Sequence, residues 1–132
     1  MTEPRAGPAR ILIVDDEPSI RRFAVRVLSE EGFLVEEASD GAEALERLRA
    51  DGVVVDVVVS DVVMPRLNGV ELVHELAASH PQVPVILMSG YAAAELGGMG
   101  IVAPCGVLAK PFPAERLVEE VRRCLPASNA AA

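Results

Sequence analysis

The sequence predicts an α/β fold in which a parallel sheet carries helices on both faces. Three observations lead there. Short apolar runs of strand length alternate with stretches of helical periodicity along nearly the whole chain. Several runs are apolar at consecutive positions, as in strands buried on both faces. The 132 residues fit one domain, and 51% apolar with 24% charged residues is ordinary globular usage.

The elements follow in order. Residues 1–9 hold two prolines and a glycine without periodicity, and are expected to form a flexible N-terminal arm. Ile11 to Val14 is the first strand. Ile20, Phe23, Ala24, Val27 and Leu28 form one helical stripe. Asp16, with Pro18 behind it, is read as that helix's start, and Gly32 as its stop. Phe33 to Glu37 is a short second strand. Asp40 caps a helix carrying Ala44, Leu45 and Leu48, which ends near Gly52. The run VVVDVVVSD is the strongest β signal, with Val57 to Ser60 as its core. Val70, Val73, Leu76 and Ala77 mark a third helix, and Pro84 to Met88 a fourth strand. Ala92 to Met99 is read as a helix whose end is crowded by Gly97, Gly98 and Gly100. Cys105 to Ala109 is a fifth strand. Leu117, Val121, Cys124 and Leu125 stripe the last helix, which Pro126 stops. Residues 126–132 are expected to be a disordered tail, leaving 10–125 as the folded domain.

Composition excludes several function classes. Twelve basic against twenty acidic residues give a net charge of −8, with no Lys/Arg cluster to grip phosphate backbones, so direct nucleic-acid binding is not expected. The longest uncharged stretch, Leu76 to Ala94, contains Ser79, His80, Pro81, Gln82, Pro84, Ser89 and Gly90 and is not a membrane span. The N-terminus has no apolar core of a secretory signal, so a cytoplasmic location is expected. Cys105 and Cys124 form no CxxC pair. They are expected as two reduced, buried thiols, with a disulfide between them as the lesser alternative. His74, Arg21 with Arg22, and Arg122 with Arg123 are read as solvated surface residues.

The polar residues gather where such sheets bind ligands, beyond the carboxyl ends of the strands. Asp15 and Asp16 follow the first strand and Asp61 the third. Ser89 and Gly90 follow the fourth, and Lys110 and Pro111 the fifth. Three carboxylates, a hydroxyl and an ammonium thus share one edge. Like charges raise one another's pKa, and a divalent cation relieves that cost. Oxygen-only ligands suit Mg²⁺, or Mn²⁺, rather than Zn²⁺. Ser89 and Lys110 then suit phosphate oxygens, and Asp61 a nucleophile forming an aspartyl phosphate. Taken singly, each residue is equally a cap, turn or surface residue; the agreement of all four strand ends carries the reading.

In ILIVDDE (11–17), SDVVMPRLNG (60–69), ILMSGY (86–91) and LAKPF (108–112) the chain resembles the receiver domain of two-component response regulators. The spacings agree: 45 residues from Asp16 to Asp61, 28 to Ser89 and 21 to Lys110. The resemblance implies a flavodoxin-like (βα)5 fold, with a five-stranded parallel sheet of order 2-1-3-4-5. It implies that Asp61 is the phosphoacceptor. Asp15, Asp16 and the backbone carbonyl of Val63 would bind Mg²⁺ with it. Ser89 and Lys110 would contact the phosphoryl group. Pro111 would follow a cis peptide bond, and Pro65 and Gly69 would shape the loop after the acceptor. The donor would be a sensor histidine kinase or a histidine phosphotransfer protein, and the output an unidentified protein.

Three positions depart from the family pattern. Val107 stands where an aromatic residue is usual, leaving Tyr91 either a substitute mobile ring or a surface cover. APCG at 103–106 replaces the usual approach to the last strand. Pro113 removes the side-chain cap of the last helix. Val63 and Tyr91 flank the path expected for attacking water, and are expected to slow hydrolysis of the phosphoryl group. Three other readings stand beside a free-standing switch. One is a receiver cut from a DNA-binding regulator and another from a hybrid kinase, although Met1 and a short arm weigh against a C-terminal kinase fusion. The third is a Mg²⁺-dependent aspartyl phosphatase, against which Val62 and Val63 count, because the DxD acid is missing.

Overall fold

In the computed structural model, residues 7–50, 54–64, 67–90 and 105–125 are described. Five strands are β1 (Arg10–Val14), β2 (Leu34–Ala38), β3 (Val57–Asp61), β4 (Val85–Ser89) and β5 (Gly106–Ala109). Four helices lie among the described residues: α1 (Pro18–Glu30), α2 (Gly41–Arg49), α3 (Gly69–Ser79) and α4 (Ala114–Cys124). The strands pair in parallel in the order β2-β1-β3-β4-β5. The expected helix at Ala92–Met99 and the tail from Pro126 lie outside the described residues.

Strand alternation divides the apolar residues between two layers. Leu12, Val14, Val58, Val85 and Leu87 pack with Ala44, Leu45 and Leu48 of α2 and with Leu72, Val73 and Leu76 of α3. Ile11, Ile13, Val57, Val59, Ile86, Met88 and Leu108 pack with Ala24 and Leu28 of α1 and with Leu117 and Val121 of α4. The three central strands are therefore apolar at consecutive positions because both of their faces are covered. The edge strand β2 is only partly buried. Ala9, assigned to the arm by sequence, is buried, and its carbonyl accepts from Leu34 N–H at 2.9 Å.

Helix starts differ in their chemistry. Asp40 caps α2, accepting from Glu43 N–H at 2.9 Å. Asn68 and Glu71 form a reciprocal capping box on α3. Pro113 leads α4 with no side-chain acceptor. Asp16 does not cap α1: Glu17 holds that position without a side-chain bond, because Pro18 at the first helical position sets the start one residue later. Asp16 is left exposed.

Two further expectations change. Cys105 and Cys124 are not free thiols but a disulfide, because the start of β5 and the end of α4 come within 6.0 Å between Cα atoms. Closing a loop across a separation of 19 residues contributes about 3 kcal/mol in the chain-entropy picture. Arg21 is not a solvated residue: its Nη1 donates to the Asp15 carbonyl at 2.7 Å and its Nε to Glu37 at 3.3 Å.

Candidate functional site

The strand ends place the polar residues together. Asp61 closes β3 and Ser89 closes β4, while Asp15 follows β1 and Lys110 follows β5. Register aligns them, since Asp61 faces Met88 across one ladder and Ser89 faces Ala109 across the next. The Lys110–Pro111 peptide is cis, and Lys110 N–H donates to the Ser89 carbonyl at 2.7 Å. The Ser89 side chain lies on the last, buried position of β4.

Asp15 is wholly buried, and its polar atoms are partnered. Its N–H donates to the Ala38 carbonyl at 3.1 Å, and its Oδ1 accepts from Glu17 N–H at 2.9 Å. Its Oδ2 accepts from Lys110 Nζ at 3.0 Å. Lys110 Nζ also lies 3.4 Å from Asp61 Oδ1, so one ammonium spans two carboxylates. Asp16 completes the group: one oxygen from each of Asp15, Asp16 and Asp61 lies within 4.8 Å of the others. Three hard oxygen donors converging this closely fit Mg²⁺ or Mn²⁺, which keep open positions for further oxygens.

Charge balance perturbs the site. Burial first, and Asp15 second, push the Asp61 carboxyl above the usual aspartate range; Lys110 and the Val63 N–H pull against them. For Lys110, burial works against the charge, but the bonds and attraction of Asp15 and Asp61 outweigh it and raise its pKa.

The loop after Asp61 is held by backbone contacts. Gly69 N–H donates to the Val62 carbonyl at 2.9 Å, and a Cβ at Gly69 would collide with the Asp61 carbonyl oxygen. That close approach is why glycine stands there. Leu67 adopts a left-handed conformation, φ 60°, and its carbonyl accepts from Gly41 N–H at 3.1 Å. Sequence reasoning misses Leu67 and Gly41, because a leucine gives no signal of positive φ. Val63 is 64% exposed beside the site. Val107 lies within β5, partly buried against the layer of α2 and α3. Pro65 and Tyr91 lie outside the described residues.

Known proteins share this fold. Residues 11–122 match the family described as Response regulator receiver domain. The chain belongs to that family, whose members are phosphoacceptor switches. It is 42% identical over 121 residues to the sensor kinase CckA of Brucella abortus, covering 91% of this chain and 13% of that kinase. It is 32% identical over 120 residues to the response regulator receiver protein CpdR of Brucella abortus, covering 90% of this chain and 98% of CpdR. Several other curated relatives are about twice as long as the matched region. The structure of TrrA from Thermotoga maritima, in complex with Mg²⁺-BeF, aligns with a TM-score of 0.77 at 31% identity, covering 89% of this chain and 99% of that one.

Proposed function

We propose that Asp61 accepts a phosphoryl group from a phosphohistidine donor, and that the phosphorylated domain changes its binding to another protein. The observation that carries this is Lys110 Nζ at 3.0 Å from Asp15 and 3.4 Å from Asp61, at the strand ends where Ser89 also lies. Asp15, Asp16, Asp61 and the Val63 carbonyl would hold Mg²⁺, or Mn²⁺, which when bound neutralises charge on the phosphoryl oxygens. An Asp61 carboxylate oxygen attacks phosphorus as the bond to the donor nitrogen breaks. The electron pair returns to the imidazole, which is then protonated. Lys110 pairs with a phosphoryl oxygen and the Ser89 hydroxyl donates to another.

The new charge draws on Lys110, which leaves its bridging position between the carboxylates, and this biases the surrounding loops. The partners are a sensor histidine kinase or a histidine phosphotransfer protein upstream and an output protein downstream, in the cytoplasm. Among the described residues, no helix is long and apolar enough to cross a membrane. A second reading, that this chain is the receiver portion of a longer kinase, is favoured by its match to 13% of CckA.

Intact-mass analysis with Mg²⁺ and a small phosphodonor tests the proposal. One phosphoryl group is expected on the wild type, and none on Asp61→Ala or without metal. Modification that persists in Asp61→Ala would contradict it.

A further inference from the structure

The geometry assigns to Cys105 and Cys124 a reversible thiol–disulfide exchange site whose co-substrate is a dithiol reductant. This is independent of the phosphorylation reading. The bridge joins the residue before β5 to the last residue of α4. It closes a ring that contains β5, Lys110 and the whole of α4. Cys105 is partly buried, whereas Cys124 is buried, so the approach is from the Cys105 side. Arg123 Nη2 donates to the Cys105 carbonyl at 2.7 Å and to Glu120 Oε2 at 2.8 Å, which ties this corner of α4 to the start of β5 by polar bonds beside the bridge.

The exchange balances. A thiolate of the reductant attacks Cys105 Sγ, the S–S bond breaks, and the electron pair leaves on Cys124 Sγ, which takes a proton. The second thiolate attacks the reductant's own sulfur in the mixed disulfide, and Cys105 leaves as a thiolate and is protonated. Two electrons and two protons pass to the protein, and the dithiol becomes a disulfide.

The fold does not depend on the bridge alone. Leu117 and Val121 of α4 are fully buried beneath the sheet, and Cys105 N–H donates to the Val85 carbonyl at 2.7 Å. Lys110 keeps its backbone bond to Ser89 and its pairs with Asp15 and Asp61. Reduction therefore frees the last turn of α4 from the start of β5 and leaves the acidic edge in place. The two thiols stay close enough to be reoxidised.

Alkylation of the native protein, read by intact mass, is expected to add no label before dithiothreitol and two labels after it, without denaturant. Amide exchange at Val121–Leu125 is expected to quicken about tenfold on reduction, while β1 is unchanged. Cys124→Ser should exchange like the reduced wild type and ignore dithiothreitol; wild type with and without reductant gives the same reading should that variant fail to fold. Two free thiols in the air-equilibrated protein, a bridge reduced only after unfolding, or equal exchange in both states would overturn the assignment.

Discussion

Of the buried carboxylates among the described residues, Asp15 and Glu120 lie at opposite ends of β5, and each meets a cation. At one end Asp15 is wholly buried against Lys110, but Asp16 and Asp61 crowd the same space, so one ammonium bridges two of three clustered carboxylates. At the other end Glu120 is 8% exposed, with Arg123 at 2.8 Å and Arg116 at 3.8 Å, so two guanidinium groups serve one carboxylate. Burial alone does not distinguish a site from a strut. The deficit of positive charge does: the first end has room for a further cation and the second is already complete.

The glycines at the two ends give the largest expected contrast. A Cβ at Gly69 meets backbone of Asp61 and Val62, which cannot yield. The nearest atoms to a Cβ at Gly106 are the ends of the Glu120 and Arg123 side chains, which can yield where backbone cannot. Gly69→Ala is expected to cost about 3 kcal/mol and Gly106→Ala about 1 kcal/mol, measured by urea unfolding. Equal losses would erase the distinction between a rigid and a yielding end.

Neutralising one carboxylate at each end should move stability in opposite directions. Without metal, Asp61→Asn is expected to stabilise by about 1 kcal/mol, because the ionised carboxylate is disfavoured by burial and by Asp15. Glu120→Gln is expected to destabilise by about 0.5 kcal/mol, the size of an ion pair whose arginines are half in water. The same sign at both ends would break the comparison.

Acidity sharpens it. The folded Asp61 binds its proton at a higher pH than an unfolded aspartate does. Its charge therefore costs stability above that folded pKa, and the cost fades as pH falls through it. The advantage of Asp61→Asn over wild type should shrink on going into mild acid, just above the usual carboxylate range. Lys110 has the opposite sense: its contribution is complete below the ordinary lysine value of 10.5 and is lost as pH rises through its raised folded pKa.

The smallest effect concerns Val63, whose apolar side chain is exposed beside Asp61. Val63→Asn is expected to shorten the phosphoryl lifetime several-fold by offering water a polar partner. An unchanged decay after donor removal would remove Val63 from that role.

The layers and the acidic edge are legible in the sequence because they rest on local signals. Runs such as Ile11–Val14 announce double-sided burial, and a polar residue directly after such a run lies at a strand end. What the sequence conceals depends on pairings between distant segments. No local pattern says that Cys105 and Cys124 meet across 19 residues. Arg21 resembles its exposed neighbour Arg22, yet one faces the Asp15 carbonyl and the other water. Asp16 beside Pro18 has the look of a helix cap; the proline's own place at the helix start releases it to the site. Glu120 sits on an amphipathic helix among other glutamates, and only the missing side chain of Gly106 makes room for it.

A deficit of positive charge distinguishes the Asp61 edge from the Glu120 end, and Mg²⁺ should tell the two apart. Thermal unfolding of wild type, Asp61→Asn and Glu120→Gln across a Mg²⁺ titration tests it most directly. At about a hundred times the dissociation constant, bound Mg²⁺ should stabilise wild type and Glu120→Gln alike by about 2.7 kcal/mol, and Asp61→Asn far less. Equal stabilisation of all three, or of none, would contradict the account.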